Sequence, residues 1–73
     1  MRTDVRVEYD FSNWPAMDAV IEQAVGRHSD YSGAGMGCRD HGWVCESDIE
    51  VARIARALKE IGLVPTLYTP PED

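Results

Sequence analysis

The chain has 73 residues, of which 44% are apolar and 27% charged, a composition typical of one small globular domain spanning residues 1–73. A chain this short buries only about 60% of its unfolded surface, which leaves little room for a deep active-site cavity. Thirteen acidic residues against seven basic ones give a net charge of −6. This charge argues against direct binding to nucleic-acid phosphates and favours a partner with a basic surface.

The N-terminal segment alternates apolar and charged residues, which is the pattern of a strand with one buried face. Its apolar positions are Val5, Val7, Tyr9 and Phe11. The segment contains no hydrophobic run that could serve as a signal peptide or membrane span, so we expect a cytoplasmic protein with no membrane partner. In that compartment Cys38 and Cys45 are expected to be free thiols.

A first helix follows, with Ser12 or Asn13 as its cap and Pro15 in its first turn. Its apolar positions recur at helical spacing: Met17, Val20, Ile21, Ala24 and Val25. We expect Gly26 to weaken the end of this helix, because glycine is a poor helix former.

A second helix is predicted from about Asp48 to Ile61. Ser47 and Glu50 have the spacing of a capping box, in which each side chain accepts a backbone N–H of the other residue. Gly62 stands where a left-handed residue ends a helix, and Leu63 can then fold back on the last turn. The segment at 64–69 is rich in strand formers, and its Pro65 belongs at a strand start or a sheet edge.

About twenty residues separate the two helices, and a structureless loop of that length is improbable in a compact domain. We predict a hairpin with a two-residue turn at Arg39–Asp40. This register places Cys38 opposite His41, Met36 opposite Trp43 and Ala34 opposite Cys45, all on the face toward the helices. A slip by one residue would instead place Trp43 across a face lined by glycines.

The element order becomes β-α-β-β-α-β, which predicts an α+β, ferredoxin-like fold: a four-stranded antiparallel sheet with two helices on one face. Right-handed crossovers give the strand order 4-1-3-2. The glycine-bearing strand and the strand containing Pro65 then lie at the two edges, where glycine and proline are tolerated.

No catalytic or cofactor motif is found, so we predict neither an enzyme nor a cofactor. The glycines after residue 32 lack the strand–helix context of a dinucleotide site, and no Walker A lysine follows them. Cys38, His41 and Cys45 form a Cys-x2-His-x3-Cys pattern, but structural zinc sites generally have two close ligand pairs. We therefore predict no metal and interpret both cysteines as small core residues.

The length, predicted topology and negative charge of the chain resemble those of the small acidic, phage-encoded anti-CRISPR proteins with a ferredoxin-like fold. The resemblance implies a non-enzymatic, DNA-mimicking inhibitor in the host cytoplasm that blocks the basic nucleic-acid-binding surface of a Cas effector subunit. The candidate partner-binding residues are Asp4, Glu8, Asp10, Asp18, Glu22, Asp30, Asp40, Trp43, Glu46 and Asp48.

Two alternative functions remain open at this point. One is a small metal- or thiol-binding domain that uses Cys38, His41 and Cys45. The other is a structural domain that dimerises through its glycine-bearing edge strand. A monomer and a homodimer are both compatible with the sequence.

Overall fold

The computed structural model describes residues 2–10 and 14–71. Its elements, in chain order, are β1 (Thr3–Asp10), α1 (Trp14–Val25), β2 (Tyr31–Gly35), β3 (Cys38–Cys45), α2 (Asp48–Glu60) and β4 (Thr66–Tyr68). The strands form one antiparallel sheet in the order β2-β3-β1-β4. The predicted ferredoxin-like α+β fold and strand order are confirmed, and the predicted Phe11 strand position and the Ser12 or Asn13 cap lie outside the described residues.

Both helices pack on one face of the sheet, and the core lies between these two layers. Alternation along β1 and β3 directs the sheet's buried side chains toward the helices. The buried core consists of Val5, Val7, Ile21, Val25, Trp43, Cys45, Val51, Ile54 and Leu58. Full burial of one such aliphatic side chain contributes about 1.5–3 kcal/mol. The predicted apolar stripe of α1 is wrong at Val20, which is 46% exposed.

The helix ends depend on two glycines with positive φ. Gly26, at φ 84°, donates its N–H to Glu22 O at 2.9 Å and follows the last residue of α1, so it ends the helix and does not weaken it. At the end of α2, Gly62 N–H bonds Lys59 O and Leu63 N–H bonds Leu58 O, each at 3.0 Å. These two hydrogen bonds form the predicted Schellman ending.

At the start of α2 only half of the predicted capping box forms. Ser47 Oγ accepts the Glu50 N–H at 3.2 Å, which satisfies one of the helix's unpaired donors. The Glu50 carboxylate accepts instead from Arg27 Nη2 at 3.0 Å. Glu50 therefore ties the loop after α1 to α2 and does not close the box.

The predicted hairpin turn at Arg39–Asp40 is wrong, because the turn is formed by Met36 and Gly37. Gly35 pairs with Cys38, and the two residues between them have φ values of 51° and 81°. Positive φ at both positions is the backbone of a type I′ turn, which favours glycine at the second position. Residues 39 and 40 therefore belong to β3.

The shifted turn changes which hairpin side chains face the helices. Trp43 and Cys45 point into the core as predicted, each 1% exposed. Cys38 pairs with Asp10 and lies on the opposite face, and Met36 stands fully exposed at the turn. Neither Cys38 nor Met36 contributes to the core, so their predicted positions are wrong.

The two described helices have 12 and 13 residues, and neither has the length and apolar character needed to cross a membrane.

Candidate functional site

We call the face of the sheet opposite the helices the open face. One half of it is covered by a tyrosine ring, and the other half carries acidic side chains. The open face is formed by alternate residues of three paired strands. These are Asp4, Arg6, Glu8 and Asp10 of β1, Cys38, Asp40, Gly42 and Val44 of β3, and Tyr31, Gly33 and Gly35 of β2. The strand β4 adds Thr66 and Tyr68 beside Arg6 and Asp4.

Tyr31 closes one half of the open face by lying across Gly42. A Cβ at Gly42 would lie only 2.1 Å from Tyr31 Cζ, so the ring occupies space that only glycine leaves. The Tyr31 hydroxyl donates to Asp4 Oδ2 at 2.9 Å, and Arg2 Nε donates to Asp4 Oδ1 at 2.9 Å. Arg6 lies beside this ring, with its guanidinium carbon 5.9 Å from the Tyr31 centroid.

Asp4 is consequently buried, with 2% of its surface exposed. The hydrogen bond from Arg2 lowers the pKa of its carboxyl, burial acts in the opposite direction, and the Tyr31 hydroxyl lowers it further. Because its acceptors are used and it is covered, Asp4 cannot meet a partner in this structure. We therefore remove Asp4 from the proposed partner-binding residues.

The other half of the open face carries three neighbouring carboxylates, Glu8, Asp10 and Asp40, which we call the acidic patch. Glu8 pairs with Asp40 across the β1–β3 ladder, and Asp10 is two residues from Glu8 on the same face. Glu8 and Asp10 are exposed and Asp40 is half-buried. The patch thus brings two of the predicted residues on β1 together with a third, Asp40, which is about 30 residues away in the sequence.

Cys38 lies within the acidic patch. Burial raises the pKa of its thiol, and the charge of Glu8, a hydrogen bond to Glu8, and the charges of Asp10 and Asp40 raise it further. A thiol that is harder to ionise is a weak nucleophile. The surroundings of Cys38 therefore disfavour the thiolate, which is the form of cysteine that attacks electrophiles and binds metals.

Two glycines of β2 leave the backbone beside the acidic patch uncovered. A Cβ at Gly33 would lie 3.3 Å from Asp40 Oδ1, so the Asp40 carboxylate leans over this glycine. At Gly35 no atom lies within 4 Å of the Cβ position. A side chain that crosses β2 from outside could therefore reach Asp40 without meeting another side chain of β2.

A second polar cluster lies on the helix-facing side, centred on Asp18 of α1. Asp18 Oδ2 accepts from Arg39 Nη2 at 2.9 Å, and Oδ1 accepts from the Tyr9 hydroxyl and from His41 Nε2, the latter at 2.8 Å. Ser29 Oγ lies 2.8 Å from His41 Nδ1. We call these five residues the Asp18 cluster.

Burial and hydrogen bonding shift the pKa of the Asp18 carboxyl in opposite directions. Burial alone would raise the pKa of its carboxyl, but hydrogen bonds from Arg39, Tyr9 and His41 outweigh burial and lower the pKa to about 2. Burial and the Asp18 carboxylate both raise the pKa of the Tyr9 hydroxyl. Asp18 is thus an ionised internal partner, and we remove it from the proposed partner surface.

Within the cluster, the Ser29 hydroxyl, the His41 imidazole and the Asp18 carboxylate follow one another in that order. Because an ionised carboxylate only accepts hydrogen bonds, His41 Nε2 carries a hydrogen, and Nδ1 of the neutral ring can accept one from Ser29. The imidazole is held between the rings of Tyr9 and Trp43, with centroids 5.9 and 5.8 Å away. His41 is only 8% exposed, so the ring is part of the packing between α1 and the sheet.

No pattern in the sequence predicts this cluster. Its members come from β1, α1, the loop before β2, and β3, so no local motif joins them. The available signal was the alternation of Arg39, His41 and Trp43 on β3, which becomes readable once the turn is placed at residues 36–37. Two polar residues on a helix-facing strand face require internal partners.

The other predicted partner-binding residues are dispersed. Glu22 lies 3.3 Å from His28 and Asp30 lies 3.1 Å from Arg27, while Asp30 also accepts the Val44 N–H. Glu46 and Asp48 are exposed near the start of α2, at the end of β3 far from the acidic patch.

Trp43, also predicted to bind a partner, lies in the core and donates its indole N–H to Arg27 O at 3.4 Å. It is inaccessible to a partner, so we remove it from the proposed surface.

Cys38, His41 and Cys45 do not form one ligand set. Cys38 lies on the open face, whereas His41 and Cys45 face the helices. Within residues 2–10 and 14–71 no three His, Cys, Asp or Glu side chains are arranged to hold a metal ion. Both cysteines are free thiols, as expected.

No protein-family model matches this chain, and comparison with the curated proteins and with the solved structures gives no match to either.

Proposed function

We propose that this protein is a non-enzymatic, acidic protein-binding module that uses the acidic patch to bind a basic partner surface. The observation that supports the proposal is the strand register, which brings Glu8, Asp10 and Asp40 together on the open face. Among the ion pairs of the described residues, none uses Glu8 or Asp40. Their charges are therefore available to cations of another molecule.

The charge distribution increases the rate of association with a basic partner more than it increases the affinity of the complex. A net charge of −6 produces a field that accelerates the encounter with a basic surface, and salt weakens this steering. Each exposed ion pair contributes at most about 1 kcal/mol. A patch of three carboxylates therefore supplies orientation and rate, and the remaining affinity must come from other contacts.

The partner class in this proposal is the basic nucleic-acid-binding surface of an effector complex, such as a Cas effector subunit. The resemblance to acidic anti-CRISPR proteins in size, topology and charge supports this choice. In this role the protein is an inhibitor in the cytoplasm of a phage-infected host, where it competes with target DNA for the nucleic-acid-binding surface of the effector.

The proposal is tested by removing charge from the patch and, separately, from elsewhere. In E8Q/D40N, two patch charges are lost, and we expect affinity for a 16-residue lysine- and arginine-rich peptide to fall about 10-fold at 50 mM salt. The control E46Q/D48N removes the same charge at the distant end of β3, and we expect less than a 2-fold change. Calorimetry at 50 and 300 mM salt measures both. Equal losses in the two variants would show that total charge, and not the patch, carries binding.

Inhibition of an effector is measured by its binding to target DNA in a gel-shift assay. We expect the wild-type chain to prevent DNA binding by a susceptible Cas effector and E8Q/D40N to do so less well. Absence of inhibition across effectors of the CRISPR types would remove the inhibitor role, while peptide binding would still support the binding module.

A second candidate function, nucleophilic attack by Ser29, is favoured by the Ser29–His41–Asp18 line. The Ser29 hydroxyl would transfer its proton to His41 Nδ1 as its oxygen attacks an electrophile, with Asp18 stabilising the imidazolium. The test is a fluorophosphonate, in which an oxygen–phosphorus bond to Ser29 forms and fluoride leaves. If this function exists, mass spectrometry finds the adduct on Ser29 of the folded protein and none in S29A. An unlabelled wild-type protein would exclude it.

A further inference from the structure

The outer edge of β2 is not paired with another strand among the described residues. Gly35 and Cys38 flank the two-residue turn, so they form a hydrogen-bonded pair, and such pairs alternate along an antiparallel ladder. Gly33 and Tyr31 accordingly direct their backbone groups toward β3. The backbone N–H and C=O groups of Ser32 and Ala34 point outward, where a further strand could bind them.

The open face beside this edge is shaped to admit long side chains. A strand added to β2 would place every second side chain over Gly33 and Gly35, which have none of their own. A residue opposite Gly33 would have its Cα about 10 Å from that of Asp40. A lysine or arginine together with an aspartate side chain covers that span, and Asp40 already leans toward Gly33.

We propose that an extended segment of a protein partner, with lysine or arginine at alternate positions, adds to the outer edge of β2 and extends its basic side chains over Gly33 and Gly35 to the acidic patch. The inference rests on the proposed function and adds to it the binding mode and the chemistry of the partner segment. Backbone hydrogen bonds supply the affinity, and the alternate basic residues supply the specificity.

Charge complementarity selects this occupant over a second copy of the chain. A second copy paired through its own β2 would offer Gly33 and Gly35 in place of side chains, followed by another acidic patch. It would therefore bring no cation to Asp40 or Glu8. A basic strand satisfies both the edge and the carboxylates.

The test uses the 15N-labelled full chain and a capped nine-residue peptide in which lysine alternates with threonine. We expect binding to slow hydrogen exchange at the Ser32 and Ala34 amides at least 10-fold. A34P removes an outward N–H without removing a ladder hydrogen bond and should weaken binding at least 10-fold. G35V fills the uncovered strip where no atom is in the way, and should also weaken binding.

Two control peptides keep the test independent of variant folding. The first has the same composition, but its lysines stand in one block. The second is the alternating peptide N-methylated on the amides that face β2. Each should bind wild-type protein at least 10-fold more weakly than the unmodified alternating peptide. If A34P and the methylated peptide bind like their parents while E8Q/D40N still loses affinity, strand addition is overturned and the proposed function stands. Edge amides already protected in a dimer without peptide would also overturn it.

Discussion

Replacing Asp18 with asparagine is expected to lower the free energy of unfolding by about 2–4 kcal/mol, because it removes the partly buried carboxylate that accepts hydrogen bonds from Arg39 and His41. The Asp18 side chain is 23% exposed and those of Arg39 and His41 are 17% and 9% exposed, so water replaces the lost interactions only in part. Urea denaturation at neutral pH measures the change.

The control for this variant is E22Q, one turn further along α1. The Glu22 side chain is 54% exposed and its neighbour His28 is 84% exposed, so this pair contributes little in water. We expect E22Q to change the free energy of unfolding by less than about 0.5 kcal/mol. Similar losses in D18N and E22Q would contradict a special role for the Asp18 cluster.

The same substitution changes the response to acid. The pKa of Asp18 is about 2 in the folded protein, below its usual 3.8, so its contribution to stability is complete above pH 4 and disappears as the pH falls toward 2. This shift corresponds to about 2 kcal/mol. D18N should therefore lose less stability than wild type between pH 5 and pH 2. Parallel stability curves for the two proteins would refute this assignment.

Replacing Gly42 with alanine is expected to lower the free energy of unfolding by about 1–3 kcal/mol. The new methyl group would lie 2.1 Å from Tyr31 Cζ, so the ring must move away from the sheet. The hydrogen bond from Tyr31 to Asp4 is then lost, and the buried carboxylate becomes exposed to water. Thermal and urea denaturation of G42A measure the cost.

Two comparisons separate this contact from a general effect of glycine replacement. In a Tyr31→Ser background the same alanine meets no ring, and its cost should fall below about 0.5 kcal/mol. G35A places a methyl group where no atom lies within 4 Å, so it should be neutral or slightly stabilising. An unchanged cost of G42A without the Tyr31 ring would show that the close approach is not its cause.

Much of the fold could be predicted because it is encoded locally. Val5 and Val7 alternate with charged residues, Ser47 caps a helix, and Gly62 ends it, so these elements are readable over a few residues. The strand order then follows from chain topology. Glu8, Asp10 and Asp40 are among ten candidate binding residues predicted from the sequence, but their proximity depends on the strand register.

The hairpin turn was mispredicted because four glycines between residues 33 and 42 permit several turns. Asp40 is a common turn residue, and the choice of Met36–Gly37 is favoured by the fit of Tyr31 on Gly42 and of Trp43 in the core. The Asp18 cluster was missed for a different reason. Its formation depends on where α1 lies across the sheet, which no local pattern specifies.

The two sheet edges differ in a way that limits assembly. The strand β4 has only three residues, preceded by Pro65 and followed closely by Pro70 and Pro71, so this side is a poor template for pairing. The strand β2 has five residues and one uncovered edge. A molecule with only one edge suited to strand pairing cannot assemble into filaments, because each chain accepts one strand and has no second edge to pair with a further chain. Binding at β2 would therefore stop at a one-to-one stoichiometry.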